Sequence, residues 1–235
     1  MPVAIDVQSR GAARTLWNSS IGKKTVMAVT GLIMIAFLLL HMLGNLKIFF
    51  GPHDFDNYAG WLRTIGEPVL HGGWYLWIQR AVLVVALGLH ITAAAQLTKR
   101  DTQSRPVSYS HGLRTKATYP TRTMRTGGII LLLFIIWHLL DLSAGVLNPD
   151  FEKGKPYHNI TKDFQVWWIN VIYIVAMVML GLHINHGFRS AIQTLGFTQN
   201  VSRRRLVEGI GAGLALVISL GFIAVPVAVM GGLVS

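Results

Sequence analysis

Residues 166–188, VWWINVIYIVAMVMLGLHINHGF, form an apolar run that contains no lysine, arginine, aspartate or glutamate. A helix rises about 1.5 Å per residue, so a run of this length crosses the hydrocarbon core of a bilayer, about 30 Å thick. The whole chain has five such windows, at 25–47, 74–97, 127–147, 166–188 and 206–232. We therefore predict an all-α membrane protein with five transmembrane helices, a single domain over 1–235 in which residues 1–24 precede the first span.

The composition excludes other classes of protein. Of the 235 residues, 52% are hydrophobic and only 13% are charged, which leaves too little polar surface for a water-soluble enzyme domain. The chain has no cysteine, so it cannot by itself hold a disulfide or a cysteine-ligated iron–sulfur cluster. A net charge of +11 is compatible with nucleic-acid binding, but the basic residues lie between the apolar runs rather than in one patch. We predict no nucleic-acid partner.

The basic residues instead predict the orientation in the membrane. Fifteen of the 21 lysines and arginines fall on the side of the N-terminus, which indicates a cytoplasmic N-terminus, with segment 1–24 in the cytoplasm, and an external C-terminus. The predicted loops are 98–126 and 189–205 inside, and 48–73 and 148–165 outside. Loop 98–126, with seven basic residues, is a natural docking segment for a cytoplasmic partner or for anionic membrane lipid.

Four of the five spans contain a deeply placed histidine, and ionisable groups inside a span usually mark function. By helical rise, His41 and His138 lie ~25 Å and ~20 Å from the inner face, in the outer half of the membrane. By the same rise, His90 and His183 lie ~24–26 Å from the outer face, in the inner half. The histidines are therefore paired by depth.

Two histidines at one depth on different helices are what a six-coordinate haem requires, since its iron takes one imidazole from each side. We predict two haems in a four-helix bundle, with the histidine-free fifth helix at the periphery. Gly88 and Gly181, each two residues before a histidine, are predicted to let a porphyrin approach the backbone. The alternative, that each histidine only hydrogen-bonds a neighbouring helix, is less favoured for four histidines than for one.

A weak internal repeat supports this pairing. The pentapeptide Leu-Gly-Leu-His-Ile occurs at 87–91 and again at 180–184, near the inner end of two inward-running spans. His186 shares a helix face with His183, so periodicity alone allows either to bind iron, and the repeat favours His183. His186 and Arg189 are then placed to bind a haem propionate. Arg80 is a similar candidate for the outer haem, or it extends to water. The remaining histidines, predicted to be solvated, are His53, His71, His111 and His158.

The chain resembles the single-chain, five-helix cytochrome b anchor of succinate dehydrogenases and fumarate reductases, the type that carries two b haems. The segments that carry the resemblance are Ser19-Ser20-Ile21-Gly22-Lys23-Lys24, Thr30-Gly31-Leu32, His41-Met42-Leu43-Gly44-Asn45-Leu46, Leu182-His183-Ile184-Asn185-His186-Gly187, Ser190 and Gln193-Thr194-Leu195-Gly196.

The resemblance implies that His41 and His138 bind the distal haem and that His90 and His183 bind the proximal one. It also implies a subunit of an enzyme complex in the inner (plasma) membrane. A flavoprotein subunit with FAD would oxidise succinate, and an iron–sulfur subunit would pass the electrons to this chain at the cytoplasmic face. The expected electron acceptor is a quinone, which is expected to be menaquinone in the two-haem members of the family. The resemblance leaves open whether the complex forms a higher-order oligomer.

The position of the quinone site is open at this point. Quinone chemistry needs a proton donor or acceptor beside an apolar slot. Glu67, in the loop before the second span, can serve an outer site, unless it is only a solvated carboxylate next to Pro68. Ser20, Lys24 and Trp17 can instead line an inner site near the proximal haem.

Two further classes of protein are weighed against the haem protein. A transporter would place carboxylates or broken helices at the membrane midplane, whereas the spans contain only Asp141 near an outer end and Pro226. A structural anchor without haem is the second alternative, and the presence of all four histidines argues against it.

Overall fold

The computed structural model describes residues 17–103 and 119–235, and all regular structure within these two ranges is helical. The first helix, α1 (Ser20–Asn45), continues as a 3-10 turn over Leu46–Phe50, and the fourth, α4 (Tyr119–His138), continues as a π-helical turn over Leu139–Ser143. The α-helices are α1 (Ser20–Asn45), α2 (Pro52–Thr64), α3 (Trp74–Gln103), α4 (Tyr119–His138), α5 (Pro156–Asp163), α6 (Trp167–Thr194) and α7 (Val201–Met230).

Five segments in the described ranges are long and apolar enough to cross a membrane, which confirms the predicted all-α fold with five spans. They are Ser20–Phe50, Trp74–Gln103, Met124–Ser143, Trp167–Thr194 and Val201–Met230. Large apolar side chains such as Val84, Leu133 and Leu216 stay exposed on the helices, as contact with lipid tails allows. The end of the bundle at which α1 begins is called the N-terminal face below, and the other end the opposite face.

The helix boundaries differ from the predicted windows in two ways. The third span ends at Ser143 rather than at 147, and Gly145, with φ of +68°, turns the chain into the following loop. At the N-terminal face, α3 runs to Gln103 and α6 to Thr194, because a helix continues through polar residues after its apolar run has ended. Segment 98–126 is therefore helical at both ends. Its Arg105, His111, Arg114 and Lys116 lie outside the described residues, as do Arg10 and Arg14.

Capping groups mark where the first span begins and ends. The Oγ atom of Ser19 accepts a hydrogen bond from the N–H of Gly22 at 2.8 Å, a typical N-cap contact. At the other end, Gly51 takes a φ of +95°, which an L-residue rarely adopts, and Pro52 then begins α2. The chain therefore leaves the first span by a sharp turn and starts a new helix on the opposite face.

The two short helices of the opposite face, α2 and α5, were not predicted. They pack against each other, and the N–H of Tyr157 donates to Asp56 Oδ1 at 3.0 Å. Ile48, Phe55 and Tyr157 are buried there in one apolar cluster with residues of α6 and α7. The segments 48–73 and 148–165 thus form a packed cap over this end of the bundle.

The arrangement of the spans places α6 at the centre. It packs against α7, α1 and α4, while α3 packs along α1. The pairs α1–α3 and α4–α6 match the repeat that the sequence predicts. Within the described ranges, α7 packs mainly on α6 and α1 and has no extensive contact with α3 or α4. The four histidine-bearing helices therefore lie on one side of the fifth.

Candidate functional site

The four histidines of the spans meet in two pairs. His41 of α1 and His138 of α4 have ring centroids 6.1 Å apart, with an interplanar angle of 76°. His90 of α3 and His183 of α6 have ring centroids 6.3 Å apart, with an interplanar angle of 57°. Each imidazole comes from a different helix, and the structure brings together the same partners that depth and the repeat predict.

These distances fit imidazoles that share one metal ion. A histidine nitrogen binds a metal at about 2 Å, so two imidazoles on opposite sides of one ion have centroids about 6 Å apart. No group of three or more His, Cys, Asp or Glu residues that could hold a bare metal ion occurs in the described part of the chain. A pair of imidazoles therefore suits a metal that brings its own equatorial ligands, as the iron of haem does.

Aromatic rings surround the first pair. Phe37 stacks on His41 with centroids 5.2 Å apart, and Phe222 of α7 lies 5.7 Å from the same imidazole. Phe134, one helical turn before His138, stacks on it at 5.8 Å. The surroundings of this pair are therefore rich in flat aromatic side chains, which suit the faces and edges of a porphyrin.

The orientation of His138 is determined by a buried hydrogen bond. Its Nδ1 lies 3.1 Å from the hydroxyl of Tyr173, and that hydroxyl donates to Asp141 Oδ2 at 3.2 Å. Because the hydroxyl hydrogen is used toward Asp141, Nδ1 of His138 carries the hydrogen that Tyr173 accepts. The lone pair of His138 is then on Nε2, the nitrogen that would bind iron.

His90 of the second pair is held in the same way by a backbone group. Its Nδ1 lies 3.1 Å from the carbonyl oxygen of Met27 and 3.3 Å from Thr30 Oγ1. A Cβ atom at Gly31 would lie 3.4 Å from His90 Cε1, so the absence of a side chain makes room for this imidazole. Since a carbonyl only accepts, Nδ1 carries the hydrogen and Nε2 is the available ligand.

His183 is held by packing rather than by a hydrogen bond. Its Nδ1 is buried and has no hydrogen-bond partner among the described residues. A Cβ atom at Gly128 would lie 3.9 Å from His183 Cε1, in ordinary contact. The prediction for Gly181 was wrong, because its Cβ position faces Ser219 of α7 at 2.6 Å and this glycine allows the close packing of α6 and α7. The Cβ position of Gly88 faces open space, so its role beside a porphyrin stays a prediction.

The predicted propionate ligands have different surroundings. The Arg189 guanidinium donates from Nη2 to Asn185 Oδ1 at 2.6 Å, and its Nε is buried without a partner in the described ranges. His186, one turn before it, is exposed on the same helix. Arg80 is exposed as well and lies over the ring of Trp77, with its Cζ 5.0 Å from the centroid. Of these three residues, Arg189 is therefore the one that has a buried N–H group available to donate to a propionate.

The candidate quinone residues lie at the two ends of the bundle. Glu67 is exposed in the segment after α2. Ser20 and Lys24 are exposed at the N-terminal face, and Ser20 Oγ accepts a hydrogen bond from Arg100 at 3.2 Å. The ring of Trp17 contacts Lys23 rather than Lys24, with Nζ 5.8 Å from the ring centroid. The structure therefore does not bring the three inner candidates together around one slot.

Sequence reasoning overlooked three site residues. Lys23 is only 3% exposed and belongs to the helix face that leads to Thr30 and His41. Lys23 lies five full helical turns before His41, and this spacing could have shown that the two residues share a helix face. Tyr173 and Asp141, which are 7% and 1% exposed, support His138. Their contact joins two spans far apart in the chain, and no local pattern predicts it.

The loop histidines lie outside both pairs. His53 is exposed and lies 3.7 Å from Asp54 Oδ1, and His71 is exposed beside Trp74. His158 is less exposed and contacts Glu152 at 3.3 Å. None of these three is placed to complete a histidine pair.

Comparison with known proteins gives one family. The family model of the succinate dehydrogenase/fumarate reductase transmembrane subunit matches residues 102–224, more than half of the chain. The matched range includes His138 and His183, one member of each pair. No curated protein and no solved structure matches the chain.

Proposed function

The chain belongs to the family of succinate dehydrogenase and fumarate reductase transmembrane subunits, and on this basis we propose that it is a di-haem cytochrome b anchor. In this proposal it passes electrons through two b haems between an iron–sulfur subunit and a membrane quinone. The complex to which such a subunit belongs is an enzyme. The site that acts on succinate would be on the flavoprotein partner, and the iron–sulfur clusters would also be on a partner chain, because this chain has no cysteine to ligate them.

The observation that carries the proposal is the pair of histidine contacts, at 6.1 Å between His41 and His138 and at 6.3 Å between His90 and His183. Both agree with the spacing of about 6 Å expected for two imidazoles on one metal. Thr30, which contacts His90, and His41 are both on α1 and are separated by about 16 Å of helix. Two haems bound at these heights would divide the transfer of an electron across the membrane into two shorter steps.

The residues of this chain would bind, orient and insulate the haems, which supply one-electron transfer when bound. Met27 and Tyr173 hold the Nδ1 hydrogens of His90 and His138, which would leave Nε2 of each ring free to hold the haem. With both histidines of a pair engaged, a bound haem would supply electron transfer, and oxygen chemistry is not expected. Arg189 and Lys23 offer positive charge near the N-terminal face for the haem propionates.

We place the N-terminal face in the cytoplasm of the cell, at the inner (plasma) membrane. Fifteen of the 21 basic residues support this orientation, since cytoplasmic ends of spans are enriched in lysine and arginine. The iron–sulfur subunit and the flavoprotein subunit with its FAD would then bind at this face. The His90–His183 pair lies nearer to it and would receive the electrons first.

The quinone, expected to be menaquinone, has two candidate positions. Glu67 offers a carboxylate at the opposite face, and Trp17 with Lys23 offers an aromatic ring and a cation at the N-terminal face. Quinone reduction requires protons, and either group can supply a donor near a haem edge. A Glu67→Gln and a Trp17→Ala variant distinguish them, because only the variant at the true site raises the KM for quinone.

The proposal is tested by the absorption spectrum of the purified complex. The dithionite-reduced minus oxidised spectrum is expected to show b-type haem bands, and a haem extraction assay is expected to give two haems per chain. A complex with neither signal would be a haem-free anchor, and the proposal would be withdrawn. One haem per chain would contradict the di-haem part alone.

A further inference from the structure

A buried polar chain extends from His138 toward the opposite face. Behind Tyr173 and Asp141 lies the carboxyl group of Asp163, at the end of α5, within hydrogen-bonding reach of the carboxyl group of Asp141 when one of the two carries a proton. Asp141 is 1% exposed and Asp163 is 4% exposed. Within the described ranges, neither makes an ion pair with a lysine, arginine or histidine.

The number of protons in this chain follows from its donors and acceptors. Tyr173 supplies one hydrogen, to Asp141 Oδ2, whereas Asp141 Oδ1 and Asp163 Oδ2 are buried and receive no hydrogen bond from any described donor. Ionised carboxylates only accept, so two of them in contact require a proton between them. Burial and the absence of a cation make two negative charges at this point unfavourable. The pair therefore holds at least one proton.

We propose that Asp141 and Asp163 form a proton-binding site that holds one proton at rest and binds a second when an electron reaches the His41–His138 site. This inference rests on the proposed function, because the electron must be carried by a haem bound there. Tyr173 is the link, since it touches both His138 and Asp141. Asp163 is the member of the chain nearest to the opposite face, so the second proton enters from the water on that side.

The step balances without any further reactant. One electron arrives from the iron–sulfur subunit or from quinol, and one proton from water forms an O–H bond at a carboxylate oxygen of the pair. Tyr173 and His138 keep their hydrogens, and the only bond that breaks is the O–H bond of the hydronium ion or water molecule that gives the proton. The added negative charge is thereby neutralised close to where it appears, in a region of low dielectric where charge interactions are strong. Asp141 and Asp163 are positioning residues in this scheme, because neither touches the haem.

The test is a redox titration of the intact complex at several values between about pH 5 and about pH 9. The midpoint potential of the haem at His41–His138 is expected to fall as the pH rises, by up to one proton per electron. Asp163→Asn, which keeps the size of the side chain but removes the acid, is expected to abolish most of this dependence. Asp150→Asn removes an exposed carboxylate from the same face and is the matched control. The second haem is an internal reference whose potential should not change.

A second readout follows the proton itself. The reduced minus oxidised infrared spectrum of the wild-type complex is expected to contain a protonated-carboxyl signal that is lost in Asp163→Asn and kept in Asp150→Asn. Should Asp163→Asn fail to fold, Asp141→Asn removes the other half of the pair. A wild-type potential that does not vary with pH, in a complex with both haems present, would overturn the inference. A complex without haem would instead overturn the proposed function.

Discussion

The Nδ1 atom of His90 on α3 lies 3.1 Å from the backbone carbonyl oxygen of Met27 on α1. A carbonyl has no hydrogen to give, so this contact determines which nitrogen of the ring is protonated. It also fixes the rotation of the imidazole, since the carbonyl belongs to a helix that cannot turn locally. The orientation of His90 is therefore set by the packing of α1 against α3, because both Met27 and Thr30, whose hydroxyl lies 3.3 Å from the same Nδ1, belong to α1.

Removal of one histidine is expected to remove one haem. In His90→Ala or His183→Ala, the reduced minus oxidised spectrum should lose about half of its b-type intensity, because the His41–His138 site is about 16 Å away along α1. His53→Ala, at an exposed position, should lose none. Loss of both haems from a variant that still folds would show that the pairing is wrong.

A large side chain at Gly31 is expected to displace His90. The Cβ position already lies 3.4 Å from His90 Cε1, so the isobutyl group of Gly31→Leu would overlap the imidazole. Haem retention at the His90–His183 site should fall, with the other haem unchanged, as measured by absorbance after gel filtration. Gly213→Leu, on an exposed part of α7 with open space at its Cβ position, is the control. Equal losses in both variants would assign the effect to general destabilisation.

The hydroxyl of Tyr173 is expected to strengthen haem binding at the other pair. Tyr173→Phe removes the acceptor for the His138 Nδ1 hydrogen and leaves Asp141 without its donor. Loss of a group that supports a metal ligand typically weakens affinity by about 10-fold to 100-fold, which haem transfer to apomyoglobin would measure. Tyr157→Phe deletes a hydroxyl that donates to the Ser235 carbonyl rather than to a residue of either pair, and it should leave haem transfer unchanged.

The pH dependence of stability is expected to report on Asp163, which lies outside the spans. Burial, and then the negative charge of Asp141, raise the pKa of Asp163 to about 8, whereas an unfolded aspartate titrates at about 4. Between these values the folded protein binds a proton that the unfolded chain releases, so stability falls as the pH rises. The thermal midpoint of the wild-type protein in detergent should decrease across this window, and that of Asp163→Asn should decrease less. Parallel curves would contradict the raised pKa.

The spans and the histidine pairs were predictable because both depend on regular quantities. An apolar run of fixed length implies a span, and a constant rise per residue gives the depth of His41 or His183. Neither inference needs knowledge of how the loops fold. The same regularity explains the remaining boundary errors, since apolar content ends before the helix does at Gln103 and Thr194.

The supporting residues could not be predicted in this way. Tyr173, Asp141 and Asp163 belong to three different elements, and their contacts depend on how α5 packs on the π-helical turn. Gly181 illustrates the same limit, because its distance from His183 suggested a role beside the porphyrin, whereas its neighbour is Ser219. Which face of a helix meets which partner is a property of the assembled bundle.

One helix, α1, takes part in both histidine pairs, since it provides His41 and also the carbonyl and hydroxyl groups that hold His90. The distance between the two pairs along the membrane normal is consequently set by the number of residues between Thr30 and His41 in one continuous helix. Lengthening or shortening any connecting segment leaves that distance unaltered, whereas inserting a single residue between Thr30 and His41 would rotate one centre by about 100° relative to the other. We expect such insertions to be far less tolerated in α1 than in the surface connections.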